Sequence, residues 1–130
     1  MKHNKYIILV KDGNVEFRCG YVIRHAHLLK NSSEEQYVIG GGKFAFSDED
    51  NAVILYDASD DYGYPKDLGK NLKKCFDSAM EALGDEYYYH FKEDTEIPDD
   101  YRLIYRDPFG VTRDVKTEKV VLLNSRNYDA

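Results

Sequence analysis

An Asp-Gly pair set between two strand-like runs constrains this chain most. Lys5 to Lys11 reads KYIILVK, a run rich in β-branched residues that suits a buried strand. Val15 to Val22 reads VEFRCGYV and puts Val15, Phe17, Cys19 and Tyr21 on one face of a second strand. Asp12, Gly13 and Asn14 join them. These residue types tolerate the left-handed angles of a tight hairpin turn, so the two runs are expected to pair antiparallel.

A second hairpin follows in KFAFSDEDNAVILYDAS, Lys43 to Ser59. Phe44 and Phe46 alternate, Asp48 to Asn51 make a polar turn, and AVILY returns. QYVIGGG, Gln36 to Gly42, reads as a strand running into three glycines. Between the hairpins, IRHAHLLKN takes helical spacing and predicts a short helix from Ile23, ended by Asn31, Ser32 and Ser33. Past the loop SDDYGYPKD, the residues Leu68, Leu72, Phe76, Ala79, Met80 and Leu83 form one apolar stripe. Asp67 can cap that helix and Gly84 can end it. EYYYHF predicts another strand, KEDTEIPDD an acidic connector, and YRLIYRDPFGVTRDVKTEKVVLLN two or three strands with DPFG as a turn. The expected fold is α+β: a mixed β-sheet with two main helices, in a single domain spanning residues 1–130.

Composition narrows the function classes. Apolar residues make up 42% and aromatics 14%, which suits a packed core; twelve Tyr and no Trp lean towards half-buried sheet surface. The formal charge of −6 opposes binding to a nucleic-acid backbone. No basic-then-apolar leader and no run of membrane-spanning length is present, so a cytoplasmic setting with no membrane partner is expected. Cys19 and Cys75 fit no metal or redox spacing, leaving two free thiols or one bridge.

The chemistry gathers at Gly40, Gly41, Gly42 and Lys43. Glycines at a strand end allow a bend, a bulge or the close approach of another group. A strand follows them where a phosphate-cradling P-loop would need a helix. Lys5, the histidines His25 and His27, and Ser59 are the other groups suited to a phosphoryl ligand: ammonium and amide groups neutralise its oxygens, and a neutral imidazole is a nucleophile or base. Asp57, Ser59, Asp61 and Gly63 have part of a calcium-loop spacing but lack its central glycine and closing glutamate.

In order along the chain, these pieces resemble the phosphohistidine phosphatase (janus) family. KYIILV at Lys5 answers the family's KY strand, RCGY at Arg18 its RGY, and HAH at His25 its HAD. GGGK at Gly40 answers GGGR, LYDASDDYG at Leu55 answers VYGYSMAYG, and the Leu68–Leu83 helix with YYYHF answers its helix and YEVTW strand. The resemblance covers about residues 5–91; residues 92–130 form a C-terminal strand extension with no counterpart.

The resemblance implies a phosphatase that removes phosphate from histidine with no metal or cofactor. On that reading Lys5 and Lys43 contact the anion, and His25 is the catalytic group. Counting without gaps from the GY pair selects His27 instead. The backbone of Ser59, Asp60 and Asp61 cradles the phosphate. Lys43 stands where the family has arginine and loses its bidentate fork. Asp60 and Asp61 stand where the family has small apolar residues, and their charges oppose an anion. The implied partner is a phosphorylated protein or small phosphoryl compound. The alternative is a non-catalytic janus-fold module that binds a protein partner, or a second copy, through its C-terminal strands.

Overall fold

The computed structural model describes residues 1–66, 72–90 and 102–124. The strands are β1 (His3–Lys11), β2 (Asn14–Val22), β3 (Val38–Ser47), β4 (Ala52–Tyr56), β5 (Arg102–Arg106) and β6 (Thr112–Asp114). A single α-helix among the described residues, α1 (Leu72–His90), and two 3-10 segments, His25–Leu28 and Ser32–Tyr37, complete it. The six strands form one sheet in the order β2-β1-β3-β4-β5-β6. Neighbours run antiparallel except β4 and β5, which are parallel. The architecture is therefore mixed α+β.

The first hairpin forms as its turn residues dictate. Asp12 and Gly13 both take positive φ, 53° and 79°, between the pairs Lys11–Asn14 and Val10–Val15. That twist matches the twist of the strands it joins. The second hairpin closes with Ser47 opposite Ala52. There the Ser47 hydroxyl donates to the Asp50 carboxylate at 2.8 Å, and the Asp50 amide donates back to Ser47 Oγ at 3.2 Å. Both side chains are buried, so this exchange satisfies polar groups that water cannot reach. The other Asp50 oxygen accepts from the amide of Asn124, anchoring the chain's last described residues.

Strand alternation divides the core between two faces. On one, Tyr6, Ile8, Phe17, Phe44 and Leu55 pack beneath Cys75, Ala79 and Leu83 of α1. On the other, Ala52, Ile54 and Ile104 are covered by Tyr56, Val121 and Leu123. The helix also shields the β2 edge: the Ser78 hydroxyl accepts from the Phe17 amide at 2.8 Å. At the opposite edge, β6 bridges to Val120 through Arg113, and Val121 donates to the Thr112 carbonyl at 2.9 Å. The chain's own return thus takes up part of the bonding along this edge strand.

Several expectations change. The three glycines lie inside β3, because that strand starts at Val38 and runs on to Ser47. The helix expected from Ile23 is a four-residue 3-10 turn, and the residues expected to end it open a second one. Asn31 makes that start, accepting from the Ser33 amide while Glu34 reaches back to the Asn31 amide. Gly84 does not end α1, and residues 86–90 are helix rather than strand. Once a helix is nucleated and packed, each added residue gains a backbone hydrogen bond, which outweighs the weak strand preference of tyrosine. Asp67, Leu68, Phe91 and the acidic connector, 92–100, lie outside the described residues. DPFG is a turn as expected, with the Gly110 amide donating to the Asp107 carbonyl at 3.0 Å. Cys19 and Cys75 are both free thiols; burial pushes the Cys75 thiol up to about 12.

Tyr6 is fully buried and stacked on Phe17 at 5.1 Å, yet its hydroxyl has no hydrogen-bond partner among the described residues. Burial holds its ionisation far above the ordinary range. A buried hydroxyl without a partner costs about 1–3 kcal/mol. Tyr6→Phe is expected to raise stability by about 1 kcal/mol, measured as a higher urea midpoint at unchanged slope.

Candidate active site

The register of β1 on β3 sets Lys5 directly opposite Lys43. Directly opposed residues in an antiparallel pair project to the same face, so the two ammonium groups rise from one side of the sheet. It is the side away from α1, since Tyr6 and Phe44, their neighbours in sequence, face the helix. Lys5 Nζ donates to the Ile23 carbonyl, tying β1 to the segment that carries the histidines. Lys43 Nζ lies 3.4 Å from the Asp57 carboxylate.

His25 and His27 part company in the 3-10 turn. Three residues per turn separate their directions by about 240°. His25 turns inward and is 7% exposed. His27 faces solvent, where its Nδ1 accepts from the Arg24 amide at 3.4 Å. The His25 ring lies against Gly41, and its Nε2 is 2.8 Å from the Gly42 carbonyl oxygen. A carbonyl only accepts, so Nε2 carries the proton and Nδ1 of the neutral ring keeps its lone pair. Nδ1 has no protein partner among the described residues.

Burial lowers the His25 pKa; the Gly42 carbonyl opposes that, Lys5 lowers it further, and Asp60 and Asp61 raise it. The net direction is down from 6.5. The unfolded chain then takes up its proton before the native one does. Stability is fully present above about pH 6.5 and is lost as pH falls towards the native pKa. His25→Gln is expected to reduce, without abolishing, the slope of the urea midpoint against pH just below 6.5. Glu34, held at about 2 chiefly by its hydrogen bonds to Arg18, titrates at lower pH, while His3, whose pKa is also lowered, chiefly by desolvation, shares the window.

The glycines make room for both flanks of the site. A Cβ on Gly41 would sit 2.4 Å from the Tyr6 carbonyl and 3.2 Å from the His25 ring. Gly40, at φ +153°, would drive a Cβ to 2.4 Å from Pro65 Cα. Only hydrogens fit at either position. The loop after β4 can therefore lie along the first half of β3 as β4 lies along the second. Ser59 donates its amide to the Gly41 carbonyl at 3.1 Å, Gly41 donates to Gly63 at 3.0 Å, and Lys66 donates to Ile39 at 3.0 Å. Within the loop, Gly63 donates to the Ser59 carbonyl at 2.8 Å and Tyr62 to Ser59 Oγ at 3.2 Å. Ser59 is buried by this work, while the Asp60 and Asp61 side chains are exposed at the turn.

Lys5, His25, Lys43 and the Ser59 loop thus gather around Gly41 and Gly42. His27 does not join them. The sequence reading underweighted Asp57, which enters the loop at φ +61° with its carboxylate accepting from the Ala58 amide at 2.9 Å. It also missed a recess of about 330 Å³ beside Lys43, bounded by Tyr56, Tyr64 and Arg106. Tyr56 could have been found as the cross-strand partner of Lys43; nothing local marks Arg106. A larger cavity, about 530 Å³, lies by the tip of the first hairpin and holds none of the predicted site residues. Its Glu16 and Glu34 carboxylates are both bonded to Arg18. Among the described residues, no three His, Cys, Asp or Glu side chains are grouped to hold a metal ion, and no helix is long and apolar enough to cross a membrane. Comparison with protein-family models, curated proteins and solved structures finds no match.

Proposed function

We propose that this chain is a metal-independent phosphatase or phosphoamidase-like protein, with a janus-like core over residues 5–91, acting on phosphohistidine or a related phosphoryl group in the cytoplasm. The observation that carries the reading is His25: a buried neutral imidazole, pinned through Nε2, with its Nδ1 lone pair uncommitted among the described residues and two lysines on the adjoining strands. In this reading Nδ1 attacks phosphorus as the P–N bond to the substrate imidazole breaks and that imidazole leaves with a proton, and water then hydrolyses the new P–N bond to release phosphate; or Nδ1 takes a proton from a water that attacks phosphorus directly as the substrate imidazole leaves. Lys5 and Lys43 neutralise the charge that develops on the phosphoryl oxygens. The amides of Asp60 and Asp61 supply further donors, while their carboxylates stay in solvent; the Ser59 amide is taken by the Gly41 carbonyl.

The ion pair between Lys43 and Asp57 supports a second reading, a non-catalytic protein-binding descendant, because one cation already has a carboxylate beside it. Phosphate release from a phosphohistidine peptide, followed in excess chelator, separates the two. The enzyme reading expects multiple turnovers. A rate at background, with no phosphate binding at millimolar concentration, overturns it and leaves the second reading.

A further inference from the structure

Carboxylates outnumber ammonium groups at the His25 site. Lys5 and Lys43 rise from paired positions on β1 and β3, while the loop after β4 brings Asp57, Asp60 and Asp61. Asp57 lies 3.4 Å from Lys43, so those two charges offset each other. Lys5 is the other cation, and its bond to the Ile23 carbonyl leaves its charge uncompensated. Against it stand Asp60 and Asp61, both exposed and without an ion-pair partner among the described residues.

The position of these two acids follows from Gly41. The Ser59 amide donates to the Gly41 carbonyl at 3.1 Å, and the His25 ring lies against Gly41 itself. Asp60 and Asp61 follow Ser59 directly, in a turn closed by the Gly63 amide on the Ser59 carbonyl and the Tyr62 amide on Ser59 Oγ. The Tyr62 hydroxyl donates to Glu35 at 2.9 Å, which ties the turn to the second 3-10 segment as well. The turn is held from both sides and keeps the two acids beside the ring. Burial is the largest influence on the His25 pKa and lowers it, but Asp60 and Asp61 are close enough to push the other way. The ring is 7% exposed, and its Nδ1, with no partner among the described residues, keeps contact with solvent. A ligand that reaches Nδ1 therefore enters the field of both carboxylates. A bare phosphoryl anion is opposed there; a cation carried beside it reverses the sign.

We propose that Asp60 and Asp61 select the substrate, a phosphohistidine in a basic segment, whose neighbouring Lys or Arg pairs with the two carboxylates while the phosphoryl group meets Lys5 and the Asp60 and Asp61 amides. The proposal rests on the phosphoryl reading of the His25 site. Asp60 and Asp61 are specificity residues: they meet the flank of the substrate and leave the chemistry to the imidazole. Exposed pairs of this kind contribute a few-fold each, are screened by salt, and sort partners more than they tighten binding.

The test compares phosphate release, over the protein-free background and in excess chelator, from three phosphohistidine peptides that differ only in the flanking pair: Lys, Gln or Glu. The basic peptide is expected to show about tenfold higher kcat/KM than the neutral one, carried by KM, with the acidic one lower still. Salt at about 0.5 M should shrink the gap. Asp60→Asn/Asp61→Asn keeps the shape of both side chains and should bring the three peptides within about twofold, the basic one slower and the acidic one faster than with wild type. A merely structural role would move all three in one direction. Each single variant should lose part of the preference, and a urea midpoint near wild type shows that the variants are folded. Equal kcat/KM for the three peptides in wild type, or a basic preference that survives in the double variant, overturns the proposal and leaves the phosphoryl reading standing. Release at background from all three ends both.

Discussion

Gly41→Ala is expected to destabilise the protein by about 2 kcal/mol or more and to disorganise the His25 site. The added methyl would meet the Tyr6 carbonyl at 2.4 Å, a distance that real contacts do not tolerate. That oxygen belongs to β1, so it can retreat only if β1 and β3 separate. The His25 ring, at 3.2 Å, can swing away more easily, but at the expense of its bond to the Gly42 carbonyl. Overpacking of this kind costs about 1–3 kcal/mol, and a lost hydrogen bond about 1 kcal/mol more. The smaller entropy of the unfolded alanine chain returns less than about 1 kcal/mol. Gly13→Asn is the contrast: it also sits in the sheet's hairpins, at φ +79°, but nothing lies within 4 Å of its Cβ and asparagine accepts that angle. Its urea midpoint should stay near wild type. A wild-type midpoint for Gly41→Ala would mean that the close packing of β1, β3 and His25 has been misread.

The second large effect is on chemistry. His25→Gln is expected to lower phosphate release from a phosphohistidine peptide by about 10²–10⁴-fold, the usual contribution of a general acid–base group. Glutamine suits the test because its amide nitrogen reaches about as far as Nε2 and can still donate to the Gly42 carbonyl. It has no counterpart to the Nδ1 lone pair, so the fold is kept while the reactive atom is removed. His27→Ala should stay within about twofold of wild type, because His27 faces solvent on the far side of the 3-10 turn. Full activity in His25→Gln would remove the imidazole from the mechanism. Loss in His27→Ala alone would move the chemistry outside the cluster at Gly41.

The parts of this fold that were legible in the residues are those specified locally. Asp12-Gly13 encodes its own turn angles, alternation in VEFRC and KFAF selects a buried face, and the stripe at Phe76, Ala79, Met80 and Leu83 follows the helical period. Each depends on a few neighbours along the chain. The misreadings share one cause as well. Gly84 and the tyrosines after it have weak local preferences, and α1 packed on the sheet overrode them. The histidine segment has helical spacing, yet the tie from Lys5 to Ile23 and the seat at Gly42 hold it as a tight 3-10 turn.

Spacing along the chain left His25 and His27 equally eligible, because it does not say which way a short turn faces; packing against Gly41 separated them. Residue types alone marked Gly40 to Gly42, Lys5, Lys43 and Ser59 as the groups from which an anion site can be made. That Lys5 stands opposite Lys43, that Ser59 bonds to Gly41, and that Arg106 borders the recess beside Lys43 depend on strand register and on the parallel step from β4 to β5. These are contacts between segments far apart in the chain. Their formation is governed by how two sheet faces bury their apolar side chains together, a property of the assembled core and of no single stretch within it.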